Sequence, residues 1–398
     1  YQEVFQGDRE IRMIQSPLRI CPLGAHIDHQ KGIVTGMTLD SSVNLVYCAN
    51  DDGLVQVKSL DFPDEENFHI DHVPGMIPAF WGNYLRGAVL ALKQDHVLKK
   101  GINGVISGKL PIGGLSSSAA VTTAYLMALC DVNGISYTKI DLIKYSHWVE
   151  RRFIGLNNGI LDQSVNILSE KDKLTVVDCN TLEYRIIPKP KNMPEFEIVI
   201  VYSGISKSLI STDYNNRVDE CKVAAWLLQE LAHQELASFS ETVLNDVDES
   251  TYQALRSELP GRFRRRADHF FGEMQRVRAG IQAWEEGDLV KFGQSMFESG
   301  ESSIKNYECG CPELISIYNI FRNTPGVYGA RFSGAGYRGC CIGLVNPNYK
   351  DAIKATVDRL YLAQFPQYKD TYRVTFCKTD DGARIVDLPE TIDQEANL

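Results

Sequence analysis

Short runs of strand character alternate with helical periods through the first half of the chain. VNLVYCA (43–49) and GLVQVKS (53–59) have strand length and β-branched content. YLRGAVLALKQDHVLKK (84–100) spaces its apolar residues for a helix, and NGVISGKL (103–110) predicts a strand feeding a glycine-rich turn. A helical pattern runs from Ser116 to about Val132 and another from Lys139 to Phe153, followed by paired strands at KLTVVDC (173–179) and LEYRIIP (182–188). The spaced prolines of PKPKNMPEF, Pro188 to Phe196, oppose both a helix and a sheet ladder, so the expected domain boundary falls there. This divides the chain into an N-terminal domain, 1–190, and a C-terminal domain, 191–398. Beyond the linker, FEIVIVYSG (196–204) predicts a buried strand, and a mostly helical stretch extends from Asp213 to Phe321. Strands at GVYGARFSG (326–334) and CCIGLVN (340–346), a helix from Tyr349 and a last strand RVTFCK (373–378) close the second domain. This interleaving predicts an α+β chain, two α/β domains in sequence.

Length and composition sharpen the picture only in places. A chain of 398 residues that is 44% apolar and 23% charged can build two cores. A net charge of −10 gives no field that would draw nucleic acid or an anionic membrane surface, so small-molecule work is expected. No apolar run approaches membrane-spanning length, and YQEVFQGDREIR at the start lacks an apolar signal core; the expected location is cytoplasmic. The ten cysteines are scattered as reduced core residues would be, and neither Cys309-Gly-Cys311 nor Cys340-Cys341 has zinc-finger spacing.

Candidate chemistry gathers in four segments. In GKLPIGGLSSSAAVTTAYLMAL (108–129) a strand runs through Gly113 and Gly114 and then Leu115 into three serines, Ser116, Ser117 and Ser118, which open a helix. Free backbone N–H groups and a positive helix end converge there with no side chain in the way, a geometry that binds phosphate. It is not a Walker A loop, and on the cap alone Ser116 would serve only as a helix N-cap. The run GARFSGAGYRGCCIGLV (329–345) matches G-x-G-x-x-G, yet a strand rather than a helix follows, so Gly334 and Gly336 belong to a tight turn between strands and a dinucleotide-binding oxidoreductase is disfavoured. WVERRFIGLNNGILDQSV (148–165) sets Glu150 and Asp162 on either side of a glycine-punctuated stretch, a metal ligand and a base in one reading and solvated helix charges in the other. RICPLGAHIDHQKG (19–32) surrounds Ala25 with Arg19, His26 and Asp28, and looks built to hold a small polar molecule.

Taken in order, the segments resemble the GHMP kinase family of small-molecule kinases, and within it the galactokinase-like sugar kinases. LRICPLGAHIDH is similar to their loop G-R-x-N-L-I-G-E-H-x-D-Y, Gly114 to Ala119 is identical to their G-L-S-S-S-A, Gly159-Ile-Leu-Asp162-Gln163 matches G-x-x-D-Q, and FSGAGYRGC resembles their glycine turn. WGNYLRG (81–87) resembles a segment near the adenine, and STDYNNR (211–217) the one whose tyrosine, here Tyr214, touches the sugar. The resemblance implies ATP and Mg2+, a first domain of the ribosomal-protein-S5 type, a ferredoxin-like second domain and an active site between them. Asp162 would accept the proton of the anomeric hydroxyl beside Arg19, and Ser118 and Glu150 would hold magnesium. The loop from Gly113 to Ser118, with Trp81, Gly334 and Gly336, would bind nucleotide. His26, Asp28, Gly159 and Tyr214 would face the sugar.

One departure stands out. Where galactokinases carry a glutamate facing the sugar 6-hydroxyl, this chain has Ala25. A carboxylate there would repel the C6 carboxylate of a uronic acid, and its removal makes room and lifts the repulsion. The run R-I-C-P-L-G-A-H-I-D-H resembles the galacturonokinase branch, which implies a sugar-acid acceptor phosphorylated at C1, with Arg338 or Lys31 offering positive charge to the uronate. The alternatives are a galactokinase with a relaxed C6 pocket and a family member turned into a non-catalytic sugar sensor. The standing Ser116–Ser118, Glu150 and Asp162 argue against the sensor. The sequence leaves the oligomeric state, monomer or homodimer, open.

Overall fold

The computed structural model describes residues 10–108, 113–205, 213–236 and 238–388. Its first half is a mixed sheet. β1 (Arg12–Ile20) and the long β2 (Ile33–Asn50) pair antiparallel, with β3 (Leu54–Ser59), β4 (Glu65–His69) and, after helix α1 (Asn83–Leu92), β5 (Gly101–Gly108) completing the order β1-β2-β5-β3-β4. Only β3 and β5 run parallel, which α1 permits by crossing over between them. The buried helix α2 (Ser117–Val132) lies on β1 and β2. After it come α3 (Lys139–Trp148) and α4 (Leu161–Leu168). The hairpin β6 (Lys173–Asp178) and β7 (Tyr184–Pro188) then pairs with the start of β2.

The second half is a four-stranded antiparallel sheet. β8 (Glu197–Tyr202) is followed by α5 (Tyr214–Leu231), α6 (Glu249–Leu255), α7 (Gly261–Glu286), α8 (Leu289–Ser302) and α9 (Pro312–Arg322). β9 (Val327–Phe332), β10 (Cys340–Val345), α10 (Lys350–Gln364) and β11 (Arg373–Cys377) complete it in the order β11-β8-β10-β9. Numbered within the sheet this order is 4-1-3-2, the ferredoxin-like arrangement, with five α-helices among the described residues in its first connection where the plain arrangement has one.

Three expectations from the sequence are corrected. The helix expected over 84–100 stops at Leu92, and the end of that span is held differently, Lys99 and Lys100 giving their backbone N–H groups to the Asn133 side chain at 2.8 and 2.9 Å. The helix expected to reach Phe153 leaves α-geometry after Trp148 and passes through a wider π-type turn, Val149–Ile154, which Gly155 ends with φ of 85°. The chain also does not stay in the second unit: β12 (Thr379–Asp380) pairs with β2 and β13 (Arg384–Val386) with β1, so the tail of the 191–398 segment belongs to the first sheet. All ten cysteines are free, and eight are buried in the cores. No helix among the described residues is long and apolar enough to cross a membrane.

In the second unit α8 lies directly on β9. A Cβ at Gly293 would overlap the Tyr328 carbonyl, and one at Gly329 would overlap the Gly293 backbone. Gly293→Ala should gain about 1 kcal/mol of helix propensity and lose more than that to overpacking, which typically costs about 1–3 kcal/mol. The expected result is a lower denaturation midpoint; an unchanged or higher one would show that α8 can ride outward freely.

Candidate active site

The connection from β5 to α2 carries the anion-binding geometry. Ser116 sits in the left-handed region, φ 56° and ψ 47°, uncommon for a residue with a Cβ, and its side chain makes no capping hydrogen bond. The plain N-cap role is therefore not what this serine performs, and the first-turn N–H groups of α2 remain available to a ligand. Ser117 and Ser118 fill the first two helical positions, and the Ser118 side chain faces Glu150 and the Tyr84 hydroxyl. From the other sheet, the turn 333–339 closes on the loop. A Cβ on Gly114 (φ 82°) would stand 2.8 Å from the Ser333 carbonyl oxygen, and one on Gly339 (φ 90°) would stand 2.7 Å from the Gly113 carbonyl carbon. The Ser333 hydroxyl donates to the Gly114 carbonyl at 2.5 Å. Leu115 is buried, and its carbonyl accepts from Arg19 N–H at 3.2 Å.

Arg19 and Asp162 meet beneath this loop. Arg19 Nε and Nη2 both donate to Asp162 Oδ1, at 2.8 and 2.6 Å, and Nη1 donates to the Gly114 carbonyl at 3.3 Å. Arg19 is buried, while the Asp162 side chain keeps 25% of its exposure. Two more carboxylates stand nearby. Burial, with Asp162 adding repulsion, pushes Glu150 up to about 7 and Asp28 up to about 6. Glu150 lies in the π-type turn, and its Oε2 accepts from Asn158 Nδ2 and Gln163 Nε2, both at 2.5 Å. Gly159 lets this segment press against the backbone of the 19–32 loop: a Cβ there would come within 2.6 Å of both Asp28 Oδ2 and His29 N.

The loop that contains Ala25 is held from the second unit. Glu273 on α7 accepts from Gly24 N–H at 2.8 Å and from the Ser299 hydroxyl at 2.5 Å. Arg276 donates to its other oxygen at 2.7 Å, and Arg331 stands 3.6 Å away. Burial alone would raise Glu273, but Arg276, Arg331 and Ser299 outweigh it and bring it down to about 2. Ala25 is 6% exposed, and its carbonyl accepts from His269 Nε2 at 3.0 Å while Ser302 bonds the other ring nitrogen. Burial lowers His269 to about 4 and His29 to about 3, and drives His26 well below its ordinary value, so all three imidazoles are neutral at pH 7. His26 stacks on Tyr307 at 4.2 Å, and His29 shares a hydrogen bond with the Tyr307 hydroxyl at 3.1 Å. Tyr214, at the start of α5, meets His29 edge-on; burial and the Asp28, Asp162 and Glu150 carboxylates raise its phenol, which stays protonated.

The chain matches the model for the GHMP kinases N terminal domain over residues 83–170 and that for the GHMP kinases C terminal over 280–363. It is 40% identical to the galacturonokinase of Arabidopsis thaliana, with 95% of this chain and 94% of that protein covered. The chain belongs to the GHMP kinase family. A galactokinase of Roseiflexus sp. strain RS-1 is 30% identical over 94% of this chain and 93% of its own. Lactococcus lactis galactokinase, solved as a complex with galactose, superimposes with a TM-score of 0.88 at 27% identity, covering 96% of this chain and 97% of its own. The fold is thus the two-domain GHMP kinase fold, and the protein is a sugar kinase that uses ATP.

In this GHMP kinase Arg19 joins Asp162 to Gly114, Glu150 joins Ser118 to Gln163 beside Asp162, Gly159 packs on Asp28, and His26, His29, Tyr214 and Tyr307 meet through ring contacts. A Cβ on Gly334 would stand 3.0 Å from Gly114 Cα. Gly336 is not brought to the loop: its missing Cβ faces Cys309 Sγ at 2.8 Å and the Phe332 ring at 3.2 Å. Trp81 is half-buried one turn before Tyr84, its Nε1 without a hydrogen-bond partner among the described residues. Pro111 and Ile112 of the phosphate loop, and Ser211 and Thr212 of the tyrosine segment, lie outside the described residues. Sequence reasoning missed Tyr84, Asn158 and Gly339, and it missed Glu273 and His269 on α7. Gly339 was already in the matched glycine pattern, and Asn158 stands beside the Gly159 that was singled out; Glu273 and His269 carry no local signal.

Glu273→Gln leaves Arg276 and Arg331 without their buried counter-charge and should cost about 3–5 kcal/mol of stability at pH 7. Because the folded-state value of about 2 lies below the ordinary 4.5, the contribution of Glu273 is complete above pH 4.5 and is lost as pH falls from there towards 2. Denaturant titrations at neutral and acid pH should show the gap between wild type and variant narrowing across that window. A gap independent of pH would assign the cost to something other than this charge.

Proposed function

We propose that this kinase transfers the γ-phosphoryl group of ATP to the anomeric C1 hydroxyl of D-galacturonic acid, giving galacturonate 1-phosphate and ADP. The observation that carries the acceptor is Ala25, a methyl at the position where the resembling sugar kinases have a glutamate, on a loop fixed by Glu273 and His269. The 40% identity to a galacturonokinase supports the same acceptor.

Asp162 acts as the base. Its Oδ1 holds both Arg19 donors, whereas among the described residues Oδ2 accepts no hydrogen bond and is left for the proton of the attacking hydroxyl. Arg19 stays charged at any working pH and faces the phosphate loop through Gly114, so it steadies the charge that builds as the phosphoryl group moves. The backbone from Gly113 to Ser118 cradles the β- and γ-phosphates, and Trp81 borders the adenine. His26, Asp28, Gly159 and Tyr214 orient the sugar. The unit before the 188–196 linker contributes both loops and the base, and the unit after it contributes the glycine turn and α5.

The residues present fit Mg2+. Ser118 and Glu150 offer hard oxygens side by side, and Asn158 Oδ1 and Gln163 Oε1 behind them are buried without hydrogen-bond partners among the described residues. Ser118 and Glu150 would hold the ion, which would neutralise charge on the nucleotide phosphates.

Asp162→Asn should preserve the thermal midpoint and sugar binding but lower kcat by about 10²–10⁴-fold, since the amide cannot take the proton. Near-normal turnover would remove Asp162 from the mechanism. Ala25→Glu should shift preference from galacturonate towards galactose, because two carboxylates at about 4 Å repel by roughly 4 kcal/mol at an effective dielectric constant of 20. The measurement is the ratio of kcat/KM for the two sugars at neutral pH, in wild type and variant. A constant ratio would mean that residue 25 does not face C6.

A further inference from the structure

Arg338 lies in the turn between β9 and β10 and is half-buried. Among the described residues it makes no ion pair and no hydrogen bond, and its Nε is buried without an acceptor. A guanidinium does not deprotonate to escape such a place, so it calls for an anion. Its surroundings say which one. The groups that feel its charge are the hydroxyls of Tyr84 and Tyr202. Tyr84 faces Ser118, at the start of α2, and Tyr202 lies against Gly113, where a Cβ would meet its ring at 3.1 Å. The next residue, Gly339, presses on the Gly113 backbone. Every one of these neighbours belongs to the phosphate loop or its support, and none to the loop of Ala25, His26 and Asp28.

We propose that Arg338 binds the triphosphate of the nucleotide, as a cation that the second unit lays over the phosphate loop, and does not serve the carboxylate of the sugar acid. The proposal rests on the reading that nucleotide binds at residues 113–118. Arg338 would donate two N–H groups to phosphate oxygens in the fork geometry that suits guanidinium.

The test is calorimetric titration of the full chain, wild type and Arg338→Gln, with AMP, ADP and a non-hydrolysable ATP analogue, alongside thermal midpoints and steady-state kinetics. The variant breaks no ion pair among the described residues, so its midpoint should hold. Affinity for ADP and the ATP analogue should fall by about tenfold or more, as for one lost charge-assisted contact, with AMP little affected, the galacturonate KM unchanged, and Arg338→Lys recovering part of the loss. Unchanged nucleotide affinities in the variant would overturn the proposal, and so would a raised KM for galacturonate alone, which would give the guanidinium to the sugar acid. If the wild type itself bound none of the three nucleotides, the kinase reading would fall together with this one; nucleotide binding that ignores the substitution overturns only the role of Arg338.

Discussion

The carbonyl of Gly114 is the point on which the two halves of the molecule close. It accepts from Arg19 at the end of β1 and from Ser333 at the end of β9, two residues from different sheets. That shared acceptor requires backbone to lie on backbone, and Gly113, Gly114, Gly334 and Gly339 make this possible by carrying no Cβ where one would collide. Arg19, held there, holds Asp162 in turn. The position of Asp162, the base of the proposed function, therefore depends on how the second sheet seats its turn on the 113–118 loop, although Asp162 itself belongs to the first unit.

Charge is distributed across the cleft with the same logic. Asp28, Glu150 and Asp162 crowd one wall, where burial and mutual repulsion raise the first two, and Arg19 is the cation that ties into the cluster. The glycine turn of the second unit carries Arg338, beside Tyr84 and Tyr202, with no ion pair among the described residues. A carboxylate wall suits a divalent cation and hydroxyl protons, and an unpaired guanidinium suits phosphate. Under the proposed function, the carboxylates would serve the metal and the hydroxyl protons, and the guanidinium the nucleotide phosphates.

Much of this was legible along the chain because it is local. The strand–glycine–serine–helix order of 101–132, the strand after the glycine turn and the proline-spaced linker each depend on neighbours a few residues apart. What was not legible depends on distance or on broken periodicity. β1 has its register shifted around Pro17, which cannot donate to the ladder, and so shows no clean alternation. β12 and β13 are too short to signal themselves and exist only because β1 and β2, more than 300 residues earlier, offer them edges. The π-type turn that aims Glu150 departs from the 3.6-residue period by which helices are recognised. Ser116 was expected in an anion-binding loop, but its left-handed backbone has no signature in residue type.

The surroundings of Ala25 bear on how a sugar acid is chosen. His26, His29 and His269 line this region as neutral imidazoles, kept so by burial, and the two arginines that meet Glu273 are engaged there, Arg276 with Glu273 itself and Arg331 with Glu273, Ser299 and Ser303. A uronate placed here would therefore meet hydrogen-bonding groups and no uncommitted cation on these residues. Under the proposed function, selectivity then arises from subtraction: a glutamate at position 25 would make the acid intolerable, whereas the methyl merely permits it. Such a site needs the loop to stay where it is, since a methyl has no polar contact of its own to fix it. Glu273 and His269, by gripping the Gly24 N–H and the Ala25 carbonyl, supply through the backbone the placement that the missing side chain cannot.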